Sequence, residues 1–305
     1  MFNKNNRNPD PTHLILLSYV IGDDSLYLLD IEQLNTQTTP SNLIARPLNL
    51  QKPCFDILGS CNGLVLANDR FRDLYVVNPT TEKTLKHLVG KHWDTTYGFG
   101  YDSSTDDYKI ISVPINPVTK FVSMYSLRNN SWRNIPNPPN QLRDHCSPHP
   151  GVLLNNNLHF IVHSGLRISI VAFSLVDEKF RVTEFPDYVN RVGGMFALGE
   201  KIAVFIYAWR HRHKSIKEFW VMEEYGVTKS WTKLCIIEND NVPDYEFYAK
   251  VSSRDILLRS SNVGEISLYN MDERRITSVK VEGCPKDFLV YGTNVESLES
   301  LERFR

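Results

Sequence analysis

The chain has 305 residues, with 34 Lys plus Arg against 35 Asp plus Glu and a formal net charge of −1. That length suits two ordinary domains or one large all-β domain, and the balanced charge argues against nucleic acid or an anionic membrane as partner. The five cysteines (Cys54, Cys61, Cys146, Cys235, Cys284) are odd in number, widely spaced and lack a Cys-x-x-Cys, which argues against a disulfide framework or a zinc knuckle and for a reducing compartment.

In chain order, "MFNKNNRNPDPTHLILL" has too short an apolar run for a signal peptide, and no later stretch offers the ~18 apolar residues of a membrane helix. The expectation is a soluble protein of the cytoplasm or nucleus, with residues 1–12 as an Asn/Pro-rich linker. From His13 onward helical periodicity is scarce, and short β-branched and aromatic runs alternate with Asn, Asp, Gly and Ser. "HLILLSYV", "SLYLLDI" and "LIARPLNL" read as three strands. Then come "GSCNGLVLA" and "LYVVNPTT", "YDSSTDDYKIISV" and "VSMYSLRN", "LLNNNLHFIV" and "IVAFSLVD", "FALGEKIAVFI" and "FWVMEEYG", and "VSSRDILLR" and "ISLYNMDE".

The runs keep one register. Leu29, Val77, Tyr125, Phe173, Val221 and Tyr269 are each 48 positions apart, and a polar Asp, Asn or Ser follows each except Val221, which precedes Met222. Trp132, Phe180 and Ile276 lie seven positions beyond their anchors and open the next strand. In "EEYGVTKSWTKL" the turn is longer, and Trp231 arrives at ten positions. Four short strands per ~40–50 residues is the signature of a propeller blade. The expected fold is an all-β propeller of six four-stranded blades over residues 13–296, in which "DFLVYGTNV" (Asp287 to Val295) joins the three-strand first repeat and closes the ring, leaving residues 297–305 as a tail.

Candidate chemistry is sparse. The glycines of "GFGYD" (Gly98, Gly100) lack the strand-to-helix context of a phosphate loop and read as permitting close backbone approach in an inner strand. "DSSTDD" spaces acids like a calcium loop but lacks the closing Glu, and reads as a hairpin turn. "HCSPH" gathers His145, Cys146 and His149 without a recognisable metal-site spacing. "RHRHK" (Arg210 to Lys214) is the densest basic run, a solvated hairpin tip rather than a nucleic-acid contact. Asn129-Asn130-Ser131 is a formal glycosylation sequon that an intracellular chain would not use. The periodic aromatics read as packing between blades. No catalytic, cofactor or metal site is expected.

"GSCNGLV", "NPTT", "YGFGYDSSTDDYKI", "MYSLRNNSWRNI", "IVAFSLVDEKFRVTEFP", "FWVMEEYGVTKSWTKL" and "LYNMDERRI" resemble, in order, the blade signatures of plant F-box proteins with an F-box-associated, kelch-like propeller, including the S-locus F-box group. The likeness covers roughly residues 13 to 300. "LLNNNLHF" departs from it, since the family usually shows Asn-Gly and a Trp near Asn156 and Phe160. The resemblance implies a substrate-recognition domain of a Skp-cullin-F-box ubiquitin ligase. Such proteins ordinarily begin with a helical F-box that docks on the Skp adaptor. Here only Met1 to Thr12 precede the first strand, so Skp adaptor and cullin are expected as partners only if an F-box is restored. A propeller enzyme and a stand-alone scaffold or decoy are the alternatives.

Strand parity places the binding face. With strands a to d running outward, the a–b and c–d turns share one end, while the b–c loops and the d-to-a crossings share the other. The short, uniform turns fall on the first end and the variable loops on the second. "NDRFRD", "HSGLR" and "AWRHRHKS" supply the exposed aromatic and cationic types that anchor protein interfaces. The residues expected to meet a target protein are Arg70, Phe71, Arg72, Arg167, Trp209, Arg210, His211, Arg212 and His213.

Overall fold

A computed structural model describes residues 13–18, 25–30, 33, 42–50, 54, 56–88, 94–116, 121–165, 167–186, 189, 192–210, 214–239, 247–250, 255–259, 264–286 and 288–294. The expected linker (1–12) and tail (297–305) lie outside them. The strands are β1 (His13–Ser18), β2 (Leu26–Asp30) and β3 (Asn42–Pro47), then β4 (Asp56–Cys61), β5 (Leu64–Asn68), β6 (Leu74–Asn78) and β7 (Lys83–Leu88). Next are β8 (Thr95–Asp102), β9 (Asp107–Pro114), β10 (Ser123–Ser126) and β11 (Ser131–Asn134), followed by β12 (His145–Cys146), β13 (Val152–Leu154), β14 (Asn157–Ser164), β15 (Arg167–Ser174) and β16 (Phe180–Glu184). The last are β17 (Val192–Leu198), β18 (Lys201–Arg210), β19 (Lys214–Met222), β20 (Trp231–Asn239), β21 (Phe247–Lys250), β22 (Asp255–Arg259), β23 (Glu265–Asn270), β24 (Arg275–Glu282) and β25 (Phe288–Asn294).

Antiparallel meanders form the sheets β4-β5-β6-β7, β8-β9-β10-β11 and β17-β18-β19-β20, and a five-stranded sheet in which both β12 and β13 pair with β14, followed by β15 and β16. The remaining strands form one eight-stranded sheet, β21-β22-β23-β24-β3-β2-β1-β25. The expectation of six separate blades closed by the last strand is therefore corrected: the propeller has five sheets, one of them double. The finding that overturns it is a parallel ladder, Lys280↔Asn42, Val281↔Leu43 and Glu282↔Ile44, which fuses β24 to β3. Gly283 permits the contact. Its φ is +81°, and a Cβ there would lie 2.3 Å from the Ala45 carbonyl oxygen. Although β25 is antiparallel to β1, it is one edge of an open, curled sheet whose other edge is β21.

Hydrophobic packing explains the apolar runs. Every residue of β9 is buried, because the middle strands of a blade are covered on both faces, whereas β11 and β16 on the outside are largely exposed. Core clusters lie between successive sheets. Leu66 and Val76 pack with Phe99, Tyr108 and Tyr125, and Ile111 and Met124 pack with Phe160 and Phe173. Another cluster packs the two halves of the eight-stranded sheet on each other through Leu16, Leu29, Leu257 and Ile266, and that burial is what curls it. The anchors Leu29, Val77, Tyr125, Phe173, Val221 and Tyr269 are all buried. Trp132, Phe180 and Ile276 stand directly across the ladder from Tyr125, Phe173 and Tyr269.

Polar residues after the anchors build the turns. Asn78 Oδ1 accepts the Thr80 and Thr81 N–H groups at 2.9 and 3.2 Å, and Asn270 Oδ1 accepts those of Asp272 and Glu273 at 3.1 and 2.9 Å. Ser126 and Ser174 hydroxyls accept from Asn129 and Asp177. At the exception, Met222 Sδ takes that role and accepts the Gly226 N–H at 3.0 Å. Asn155 and Asn156, with φ of 49° and 57°, make the left-handed two-residue hairpin turn where the resemblance leads one to expect Asn-Gly.

Candidate functional site

The meander topology sets which loops meet. Loops β5–β6, β9–β10, β14–β15 and β18–β19 join the second strand of a blade to the third and lie at one end, opposite hairpins such as Asn62-Gly63 and Asn155-Asn156. The loop after β5 is constructed by Asp69, whose Oδ1 accepts the Phe71 and Asp73 N–H groups at 2.8 and 3.0 Å and whose Oδ2 accepts the Tyr75 hydroxyl at 2.9 Å. Arg72 sits at φ 68°, and the turn closes through its N–H to the Asp69 carbonyl. This frame projects Phe71 outward at 82 % exposure, between exposed Arg70 and half-buried Arg72. Burial, then the neighbouring Asp69, pushes the Tyr75 hydroxyl up to about 12, so it stays a donor.

Arg167 is exposed at the start of β15, after Gly165 at φ +61°. Trp209 and Arg210 end β18, where Trp209 pairs with Ser215 and Arg210 with Lys214 in the β18–β19 ladder. His211, Arg212 and His213 lie outside the described residues. The structure thus puts Arg70, Phe71, Arg72 and Arg167 on loops of one end, and directs the β18–β19 hairpin to the same end.

The sequence reading did not single out Phe121, which falls just before the run "VSMYSLRN". This residue is 66 % exposed in the β9–β10 connection, one blade from Phe71 and at the same end. The position before the buried Val122 carried the only signal.

The other candidate motifs resolve into architecture. Asp102 of "DSSTDD" accepts the Ser104 N–H and hydroxyl and the Thr105 hydroxyl, and binds Lys109 Nζ at 2.8 Å. Gly98 and Gly100 make room for neighbouring side chains rather than for backbone: a Cβ on Gly100 would lie 2.5 Å from Leu175 Cδ1. In "HCSPH", Cys146 is buried with its thiol toward the Ile161 carbonyl, while His145 is exposed opposite His163. Burial pushes the thiols of Cys61, Cys146 and Cys235 up to about 12, which leaves them without nucleophilic thiolate. Among the described residues, no group of three His, Cys, Asp or Glu side chains is placed to hold a metal, and no helix is long and apolar enough to cross a membrane.

Radially packed antiparallel sheets, with Phe71, Phe121 and Arg70 exposed on the loops of one end, define a β-propeller. Its family is equally plain: residues 18–298 match the F-box associated beta propeller domain, and the chain belongs to that family. Among Arabidopsis thaliana proteins it is 26 % identical to F-box protein CPR1, covering 90 % of this chain and 74 % of that one. It is 27 % identical to F-box/kelch-repeat protein At3g23880, covering 79 % and 69 %. In fold it is similar to TolB from Acinetobacter baumannii (TM-score 0.56, 11 % identity, 92 % of this chain and 66 % of that one). A nidogen/laminin complex gives a TM-score of 0.51 at 9 % identity, covering 92 % of this chain and 96 % of the matched one.

Proposed function

We propose that this propeller is the substrate-recognition domain of a Skp-cullin-F-box ubiquitin ligase receptor, of the kelch-like, S-locus F-box-like group, and that it captures a target protein on its b–c and d–a loop face. Ubiquitin transfer belongs to other subunits, and adaptor and cullin engage through an F-box. Family membership supports the class of activity. The single observation that carries the face is Phe71, held almost fully exposed by a purpose-built Asp69 turn. An apolar ring displayed by a rigid loop gains most by burial against a partner.

The test is affinity purification from the native tissue with wild-type chain and with Phe71→Ala combined with charge reversal at Arg210 and Arg212. The variant is expected to lose the specific target while its melting temperature stays put, because hairpin tips bury little. Unchanged capture, together with loss on altering Asn62 or Glu273 at the opposite end, would reverse the assignment of faces. Adaptor binding is checked separately by co-precipitation of Skp adaptor with the chain as given and with the chain preceded by a family F-box. Only the latter is expected to recover adaptor.

A further inference from the structure

The long turn of "EEYGVTKSWTKL" does more than lengthen a hairpin. Residues Glu223–Ser230 close on themselves through the Glu223 N–H to the Ser230 carbonyl at 3.1 Å and the Gly226 N–H to Met222 Sδ at 3.0 Å. Two bonds tie this turn to the neighbouring sheet: the Tyr225 hydroxyl to His159 Nε2 at 2.7 Å, and the Thr228 hydroxyl to the Glu184 carbonyl at 3.0 Å. A fixed wall therefore stands across from β16, the outer strand of its sheet.

Between wall and strand lies an open, largely polar groove of about 530 Å³, lined by Gln141, Val182, Thr183, Glu184, Phe185, Pro186, Gly226 and Thr228. Register fixes which backbone groups face it. The Phe185 N–H donates to the Ile168 carbonyl, so in the antiparallel β15–β16 ladder Thr183 and Arg181 also point to β15, while Val182 and Glu184 point away. The Thr228 bond to the Glu184 carbonyl shows the outward direction directly. Beyond that bond, the Val182 N–H and C=O and the Glu184 N–H have no partner among the described residues. Glu184 is the sole charged side chain in the lining, and its carboxylate is likewise unpaired among them.

We infer that this groove binds an extended peptide segment of a partner by adding it as a strand to β16, with a basic side chain of the peptide against Glu184. Unpaired outward N–H and C=O groups on an edge strand are satisfied by another extended backbone. The single anionic side chain sets the sign of the peptide's charge. At Glu184 the Thr228 hydroxyl already caps the outward carbonyl, so the peptide's backbone pairs at Val182 and a second copy is an outcome the test separates. Gln141, Phe185 and Pro186 belong to the crossings between blades, so the groove borders the loop face at the rim; it does not involve the Phe71 loop and stands or falls separately from the ligase reading.

The probe is a fluorescein-labelled peptide of alternating Val and Thr with one central Lys, titrated by fluorescence polarisation. It is expected to bind saturably, with its Glu counterpart roughly two- to fivefold weaker, the range an exposed ion pair supports, and with alternate N-methylation abolishing binding. Val182→Pro removes an outward N–H at an edge position where proline is tolerated, and is expected to weaken binding roughly tenfold. Glu184→Gln should erase the Lys/Glu preference, and Phe71→Ala should change nothing. Gln141→Trp fills the groove from its other side without altering β16 and should also block binding, which guards against misfolding of the proline variant. The inference is overturned by absence of saturable binding, by binding indifferent to Val182→Pro and Gln141→Trp, or by a dimer in sedimentation that Val182→Pro dissociates.

Discussion

Lys109 is a buried charge held between two blades. Its ammonium donates to Asp102 Oδ2 at 2.8 Å, the Leu175 carbonyl at 2.8 Å and Glu178 Oε1 at 3.1 Å, and Arg133 pairs with the same Glu178. Burial alone raises the Asp102 carboxyl, but the bonds from Lys109, Ser104 and Thr105 outweigh it and hold the group below the usual carboxylate range. Replacing Lys109 by Met strands a buried carboxylate and is expected to cost roughly 3–5 kcal/mol in urea unfolding. His159 makes the opposite demand. A carbonyl only accepts, so Nδ1–H donates to Val152, and Nε2 accepts from Tyr225. Burial lowers this imidazole from 6.5 to about 4, so the folded chain keeps it neutral. As pH falls through that window the unfolded chain takes up a proton that the folded chain refuses. Stability should therefore drop by roughly 3 kcal/mol between neutral pH and pH ~4. Asp102, depressed from an ordinary 3.8, contributes stability that is lost only at still lower pH, while the contribution of Glu178, depressed from 4.5, begins to fall at the acid end of the same window. Melting temperatures from pH 7 to 4 check this, and His159→Gln should flatten that limb alone.

At the scale of elements, hairpins follow local rules while the fusion of β24 to β3 does not. Each described c–d turn is held by a side chain two to four residues before the N–H it accepts, and at all of them but Met222 that side chain is the polar follower readable in the chain. The Lys280–Glu282 ladder joins residues more than two hundred positions from Asn42–Ile44, and its signature is a lone glycine. Gly283→Ala would place a methyl against the Ala45 carbonyl in a left-handed conformation. It is expected to cost about 1–3 kcal/mol. Hydrogen exchange should quicken in β3 and at the end of β24, and remain slow in β9 and β14. Uniform loss of protection would mean that the ladder is no separate seam.

At the scale of the molecule, each four- or five-stranded sheet gives side chains to two clusters, and the eight-stranded sheet to three. The β8–β11 sheet turns Tyr97, Phe99 and Ile110 toward one neighbour and Ile111, Val113 and Met124 toward the other. Loosening one sheet therefore uncovers both of its neighbours, unlike the end of an open repeat array, which frays alone. A single calorimetric transition is expected, with van't Hoff and calorimetric enthalpies in agreement. Phe160→Ala, at a fully buried ring between two sheets, should shift the whole transition by about 3–5 kcal/mol rather than split it. Two resolved transitions would contradict this coupling.

Read alone, the sequence determined the all-β class, the register of the anchors, the hairpin positions and the end at which variable loops gather. These rest on period-two alternation and on turn chemistry within a few residues, both written locally. Position in the chain also pointed to Phe71, because a turn built on Asp69 is local. Only the tertiary structure decided that there are five sheets and not six, that Lys109 meets Glu178 and His159 meets Tyr225, that Phe121 is exposed, and that the long turn walls a groove along β16. Each of these depends on how neighbouring sheets approach. The contacts join residues tens to hundreds of positions apart, where alternation and turn propensity carry no information.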